Sequence, residues 1–166
     1  LGFFSHLIDE EKNIWLGSNG SGMYLISNSN ILRHSHRNLP VDPVYGMVQD
    51  KHDNYWFGYF GVSYYSKLYL PSNGLPQADT VSSPSSPGLN TYDWINDEVW
   101  YLCDLGVLQV KDRGSKFYTV ADGIDLNMIT NISFSPLDTA IYTSGRYGLN
   151  KIKNGKVSYV FPADTS

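Results

Sequence analysis

An aromatic residue that returns at a nearly fixed interval, always in the same local setting, restricts this chain's fold more than any other feature. Ile14-Trp15-Leu16-Gly17, Tyr55-Trp56-Phe57-Gly58, Val99-Trp100-Tyr101-Leu102 and Ile141-Tyr142-Thr143-Ser144 place that aromatic at 15, 56, 100 and 142, with intervals of 41, 44 and 42 residues. Five to seven residues later each copy has a Gly followed by an apolar residue: Gly22-Met23, Gly61-Val62, Gly106-Val107 and Gly148-Leu149. Ahead of the aromatic runs an apolar stretch that closes in a polar turn, as in Leu7-Ile8 before Asp9-Glu10-Glu11-Lys12-Asn13 and Met47-Val48 before Gln49-Asp50-Lys51-His52-Asp53-Asn54. A period of this length marks a supersecondary unit that buries its apolar faces only by stacking on its neighbours.

Such a spacing suits one four-stranded blade, so the expected fold is all-β: a β-propeller segment of four four-stranded blades. The 13 Tyr and 15 Gly agree with strands joined by Gly-rich turns. Inner strands are expected near 3–9, 44–50, 90–96 and 128–135, and the aromatic strands near 14–18, 55–59, 98–102 and 139–143. Trp15, Trp56, Trp100 and Tyr142 are expected to fill the gap between adjacent blades, and Gly22, Gly61, Gly106 and Gly148 to open the third strands after a tight hairpin. Fourth strands are expected at Ile31-Leu32, Leu68-Tyr69-Leu70, Lys116-Phe117-Tyr118 and 156–160. The blades then divide as 1–41, 42–88, 89–126 and 127–166 within one propeller domain, and the Pro/Ser-rich stretch 71–88 reads as a long surface loop, either a plain insertion or a cover over a ligand. Closed propellers hide their edges by completing one blade from both chain ends. Here the chain starts on an inner strand and stops after an outer one, which predicts an incomplete or open ring, or self-association such as two four-blade halves.

Composition excludes some partners. With 12 basic against 16 acidic residues and no basic block, nothing provides the electrostatic footprint of a nucleic-acid binder or of a surface for anionic membranes. No stretch is long and apolar enough to span a bilayer, so no membrane contact is expected of this segment. Cys103, alone and in an apolar run, reads as a buried structural thiol.

The pattern of apolar strand, acidic or Asn-containing turn, then Asn13-Ile14-Trp15-Leu16-Gly17 and Asn54-Tyr55-Trp56-Phe57-Gly58, then Gly-apolar, resembles the two-component regulator propeller repeat family. The third copy lacks the Asn and carries Leu102 where the first two have Gly, and the fourth has Tyr142 in place of Trp. That family forms the periplasmic sensor domains of bacterial hybrid histidine kinases, many of which respond to oligosaccharides. The resemblance implies a periplasmic, ligand-sensing segment of a receptor anchored in the inner membrane, its kinase chemistry lying in other modules. A propeller lyase or glycosidase and a protein-interaction scaffold are the alternatives.

The residues themselves offer little catalytic chemistry. His34-Ser35-His36 could supply two imidazoles without a third ligand, so no metal or cofactor is expected. Asp9-Glu10-Glu11 and Asp97-Glu98 occupy the repeated turn, where turn formation explains them. Gly17-Ser18-Asn19-Gly20-Ser21-Gly22 opens no helix and so is a hairpin, not a phosphate loop. In a propeller the loops from second to third strand share a face with the blade-to-blade loops. Tyr59, Phe60, Asp104, Arg146 and Tyr147 are therefore the expected ligand contacts, with His36 and Arg37 joining from a blade-to-blade loop. Aromatic rings beside charged groups suit a glycan or other polar small molecule.

Overall fold

A computed structural model describes residues 2–19, 22–27, 30–34, 42–69, 77–125, 129–145 and 148–161. Four antiparallel sheets follow one another along the chain, each a simple meander of four strands. Blade 1 comprises β1 (Phe3–Ile8), β2 (Ile14–Ser18), β3 (Met23–Ser27) and β4 (Asn30–His34); blade 2 comprises β5 (Val44–Gln49), β6 (Tyr55–Tyr59), β7 (Tyr64–Tyr69) and β8 (Gln77–Ser82). Blade 3 is β9 (Pro87–Asp93), β10 (Glu98–Cys103), β11 (Gly106–Lys111) and β12 (Gly114–Tyr118), and blade 4 is β13 (Ile129–Ser135), β14 (Ala140–Gly145), β15 (Gly148–Lys153) and β16 (Lys156–Phe161). A 3-10 turn, Val120–Asp122, links blades 3 and 4, capped by Thr119 and ended by left-handed Gly123.

Among the described residues, buried apolar side chains collect at the three seams between consecutive blades. Trp15, Met23, Met47, Tyr55 and Phe57 meet at the first seam, Tyr65, Val99, Tyr101 and Leu108 at the second, and Trp100, Tyr118, Phe134, Ile141 and Ile152 at the third. The repeated aromatic does what its period implied. Trp15 packs on Tyr55 of the next blade with ring centroids 4.6 Å apart, Trp56 lies against the second seam and Trp100 within the third. Tyr142 lies half-buried in blade 4, with Lys151 Nζ 5.6 Å from the centre of its ring. Inner strands β1, β5, β9 and β13 pack in succession, and among the described residues blades 4 and 1 do not pack together as the consecutive blades do. The ring is open.

Gly17 and Gly58, each two residues after the Trp, set how near the blades come. A Cβ at Gly58 would stand 1.9 Å from the Gly88 carbonyl oxygen of blade 3, and one at Gly17 would stand 2.8 Å from the Val44 carbonyl of blade 2. Only a residue without a side chain allows that approach.

Each polar turn is organised by the Asp that closes the inner strand. Asp9 accepts from the Asn13 backbone and side chain, from Trp15 Nε1 at 2.9 Å and, across the seam, from the Tyr55 hydroxyl at 3.2 Å. Asp50 repeats this with Asn54 and with Trp56 Nε1 at 2.8 Å. Burial pulls the Asp9 carboxyl upward, but the hydrogen bonds from Trp15, Asn13 and Tyr55 outweigh it and hold its pKa below the ordinary value.

Three strand expectations need correction. Leu68 and Tyr69 belong to the third strand of blade 2, and the fourth strand, β8, lies inside the stretch expected to be loop. Its sequence, Gln77-Ala78-Asp79-Thr80-Val81-Ser82, carries little apolar pattern because an outer strand has solvent beside it. Its register with β7 runs from Tyr64↔Ser82 to Tyr69↔Gln77 and includes a Ser66–Thr80 hydroxyl contact. Pro84 falls in the bend at 83–86 and Pro87 opens β9, both positions where a missing N–H costs no ladder bond. Strand β9 also begins and ends three residues ahead of the expected 90–96, because Trp94, Ile95 and Asn96 form the turn around Asp93.

Candidate ligand-binding face

Hairpins between first and second and between third and fourth strands gather at one end of the arc. The second-to-third loops and blade-to-blade links gather at the other, where the sequence placed the binding groups. One device repeats there. Every inner strand slips register against its neighbour near its start: between Phe3 and Ser5, between Val44 and Gly46, opposite Tyr101 and Cys103, and between Ile129 and Asn131. A β-bulge leaves one residue unpaired and re-aims its side chain. The residues so released are Phe4 in blade 1, Tyr45 in blade 2 and Thr130 in blade 4; in blade 3 the slip spans Gly88 and Leu89.

Two of these join Phe60 in a three-ring stack. Phe4 lies on Tyr45 at 4.7 Å with ring planes 15° apart, and Tyr45 lies on Phe60 at 5.0 Å and 27°. Phe4 is 47% and Phe60 53% exposed, so the stack presents ring to solvent across blades 1 and 2. Beside it opens a cavity of about 320 Å³ lined by Tyr45, Phe60, Leu89, Leu102, Asp104 and Thr130 among others. Contacts from blades 2, 3 and 4 thus meet in one concavity, with an apolar floor, a carboxylate and a hydroxyl.

The loops bearing Phe60 and Asp104 are fastened by the Ser-rich link expected to be a surface insertion. Ser86 Oγ accepts from the Gly61 N–H at 2.8 Å and donates to the Tyr59 carbonyl, the Ser86 carbonyl accepts from the Asp104 N–H, and Ser85 Oγ accepts from the Leu105 N–H. Ser83, Ser85 and Ser86 are buried, so residues 83–86 clasp the Phe60 and Asp104 loops to one another.

Of the expected contacts, Phe60 and Asp104 reach the cavity. Tyr59 does not. It is 1% exposed, sealed in the first seam beside Tyr64, because Tyr55, Phe57 and Tyr59 alternate onto one face of β6 and that face is turned into the core. Arg146, Tyr147, His36 and Arg37 lie outside the described residues, as does the His34 side chain. The sequence reading missed Phe4 and Tyr45, although their separation of 41 equals that of Trp15 and Trp56 and marks them as equivalent positions. Cys103 borders the cavity, but burial pushes its thiol up to about 12, which leaves it protonated and inert as a nucleophile. Among the described residues no group of three His, Cys, Asp or Glu is placed to hold a metal ion.

No family model matches the chain, and no curated protein matches it by sequence. Among solved structures, virginiamycin B lyase from Staphylococcus aureus is similar over 99% of this chain and 56% of its own, with a TM-score of 0.79 at 15% identity. The fold is a β-propeller. The extracellular domain of a hybrid two-component system from B. thetaiotaomicron is similar over 99% of this propeller segment and 22% of its own chain, with a TM-score of 0.74 at 18% identity. PorZ, a surface component of the type-IX secretion system of Porphyromonas gingivalis, is similar over 96% of the segment and 27% of its own chain, with a TM-score of 0.69 at 12% identity. At these identities the likeness is one of fold. The segment spans little more than half of the lyase and under a third of the other two proteins.

Proposed function

We propose that this propeller segment is the extracytoplasmic, ligand-sensing part of a two-component signalling receptor. Its ligand is an oligosaccharide or other polar small molecule bound on the bulge-and-loop face. The stacked Phe4, Tyr45 and Phe60 rings beside a cavity bearing Asp104 and Thr130 carry this reading. Exposed ring faces offer apolar area to the C–H face of a sugar, and neighbouring polar groups fix its hydroxyls. Support also comes from the repeat pattern around Trp15 and Trp56 and from fold likeness to the extracellular domain of a two-component system. In this reading the segment lies in the periplasm, its parent is anchored in the inner membrane, and the segment binds its ligand without transforming it.

Calorimetric titration of the full-length protein with a panel of glycan fragments tests the reading. One class of fragment should bind, and Tyr45→Ala with Phe60→Ala should weaken it roughly tenfold, from about 0.5–1.5 kcal/mol per aromatic contact. Absence of binding across the panel, or binding indifferent to both substitutions, would refute the site; cleavage of a fragment would make the protein an enzyme instead.

A further inference from the structure

A cavity of about 620 Å³ lies at the opposite end of the arc, in the seam between blades 3 and 4. We infer that it is a second binding site, for a small organic anion bearing a carboxylate or phosphate. Charge is the first reason. Lys111, Arg113, Lys116 and Lys153 line it against Asp93 and Glu98, four cations to two carboxylates in a chain whose net charge is −4. One carboxylate is already spent: Glu98 accepts from Lys111 at 2.6 Å and from Gln109 at 2.6 Å, and Gln109 in turn accepts from the Tyr118 hydroxyl. Among the described residues no carboxylate pairs with Arg113, Lys116 or Lys153. Lys116 leans over the Tyr118 ring at 4.2 Å and reaches the Gly155 carbonyl of blade 4, so the rim cations come from both sides of the seam.

An orphaned donor is the second reason, independent of the first. In blades 1 and 2 the indole N–H of the repeated Trp ends on the turn Asp. Blade 3 breaks the pattern: Trp100 follows Asp93 by seven residues where the earlier pairs are six apart, and Asp93 is taken up by the N–H groups of Ile95 and Asn96 and the Asn96 amide. Trp100 is 4% exposed and its Nε1 has no partner. Trp100 itself lines the cavity, together with Asp93 and Asn96 of the 93–96 turn. Ile141 and Ile152 give the same cavity an apolar floor. An anion seated there satisfies the rim cations with its charged group and the indole with a further oxygen.

The test uses the full-length protein labelled with 15N-tryptophan, the Trp100 indole resonance being assigned by Trp100→Phe. The probes are glucose 6-phosphate and galacturonate, with glucose and matched sodium chloride beside them. A saturable shift of the Trp100 indole signal is expected with one or both anions and with neither control, the responding anion separating phosphate from carboxylate recognition. Arg113→Gln combined with Lys153→Gln should weaken that binding at least tenfold, whereas Lys12→Asn, on blade 1, should leave it unchanged. No shift with either anion, a shift reproduced by sodium chloride, or equal affinity in the double variant would overturn the inference. The signal comes from the seam of blades 3 and 4, so its outcome is independent of whether the bulge-and-loop face binds glycans.

Discussion

Truncating Asp9 to alanine tests the seam architecture most directly. Asp9 is 3% exposed, and its carboxylate accepts from Trp15 Nε1 and from the Tyr55 hydroxyl, two donors on buried side chains of different blades. Leaving a buried donor unsatisfied costs about 1–3 kcal/mol, and water entering the vacated space recovers part of it, so Asp9→Ala should destabilise the chain by about 3 kcal/mol. At Asp50 the donor Trp56 is only half-buried, and the equivalent substitution should cost about 1–2 kcal/mol because its N–H can turn to water. Urea midpoints at constant m-value measure both. In a Trp15→Phe, Tyr55→Phe background the Asp9→Ala cost should fall to about 1 kcal/mol, the coupling expected of groups in one network. The pH dependence has a fixed sign. Asp9 is held below its ordinary value of 3.8 in the folded chain, so its contribution is complete above that value and disappears as pH falls through the folded pKa. The gap between wild type and Asp9→Ala should therefore narrow in acid. An Asp9→Ala cost no larger than that of Asp50→Ala, or a gap that widens in acid, would refute the role assigned to the cross-seam bonds.

Gly58→Ala drives a methyl group into the Gly88 carbonyl of blade 3 and should cost at least about 3 kcal/mol, read as a lowered urea midpoint or loss of soluble protein, while Gly61→Asn, at φ 78° with open space around it, should cost under about 1 kcal/mol. Asp97 gathers Tyr92, His52 and Lys51 across the second seam; burial raises its pKa, but these hydrogen bonds outweigh it and bring it to about 2. Its contribution should hold above about pH 4 and vanish as pH falls through 2, and Asp97→Asn should cost about 1 kcal/mol or less at neutral pH because Lys51 and His52 are exposed. Native Cys103 should resist a thiol-specific reagent at pH 8 and react at once in concentrated urea; fast labelling of the folded chain would contradict its burial.

The blades were legible because each seam demands the same flat side chain, so Trp15, Trp56 and Trp100 return with the period of the structure itself. Strand β8 was hidden for the opposite reason: an outermost strand has no seam to fill, and Ser66–Thr80 pairing leaves no apolar trace. Phe60 and Asp104 could be placed on the loop face from sequence because they follow the second strands of their blades directly. Tyr59 ends its strand, yet its two-residue alternation with Tyr55 and Phe57 turns it into the core. Phe4 and Tyr45 went unseen because a bulge is a mismatch between two strands, a property of pairing that neither strand records alone.

Three separate seams in place of one central core make this molecule a row of nearest-neighbour couplings. Damage at one seam is felt by the two blades that share it and fades beyond them. Phe4, Tyr45, Asp104 and Thr130 stand on four successive blades. An occupant touching all four would act as a strut across every hinge of the arc at once, converting occupancy into stiffness.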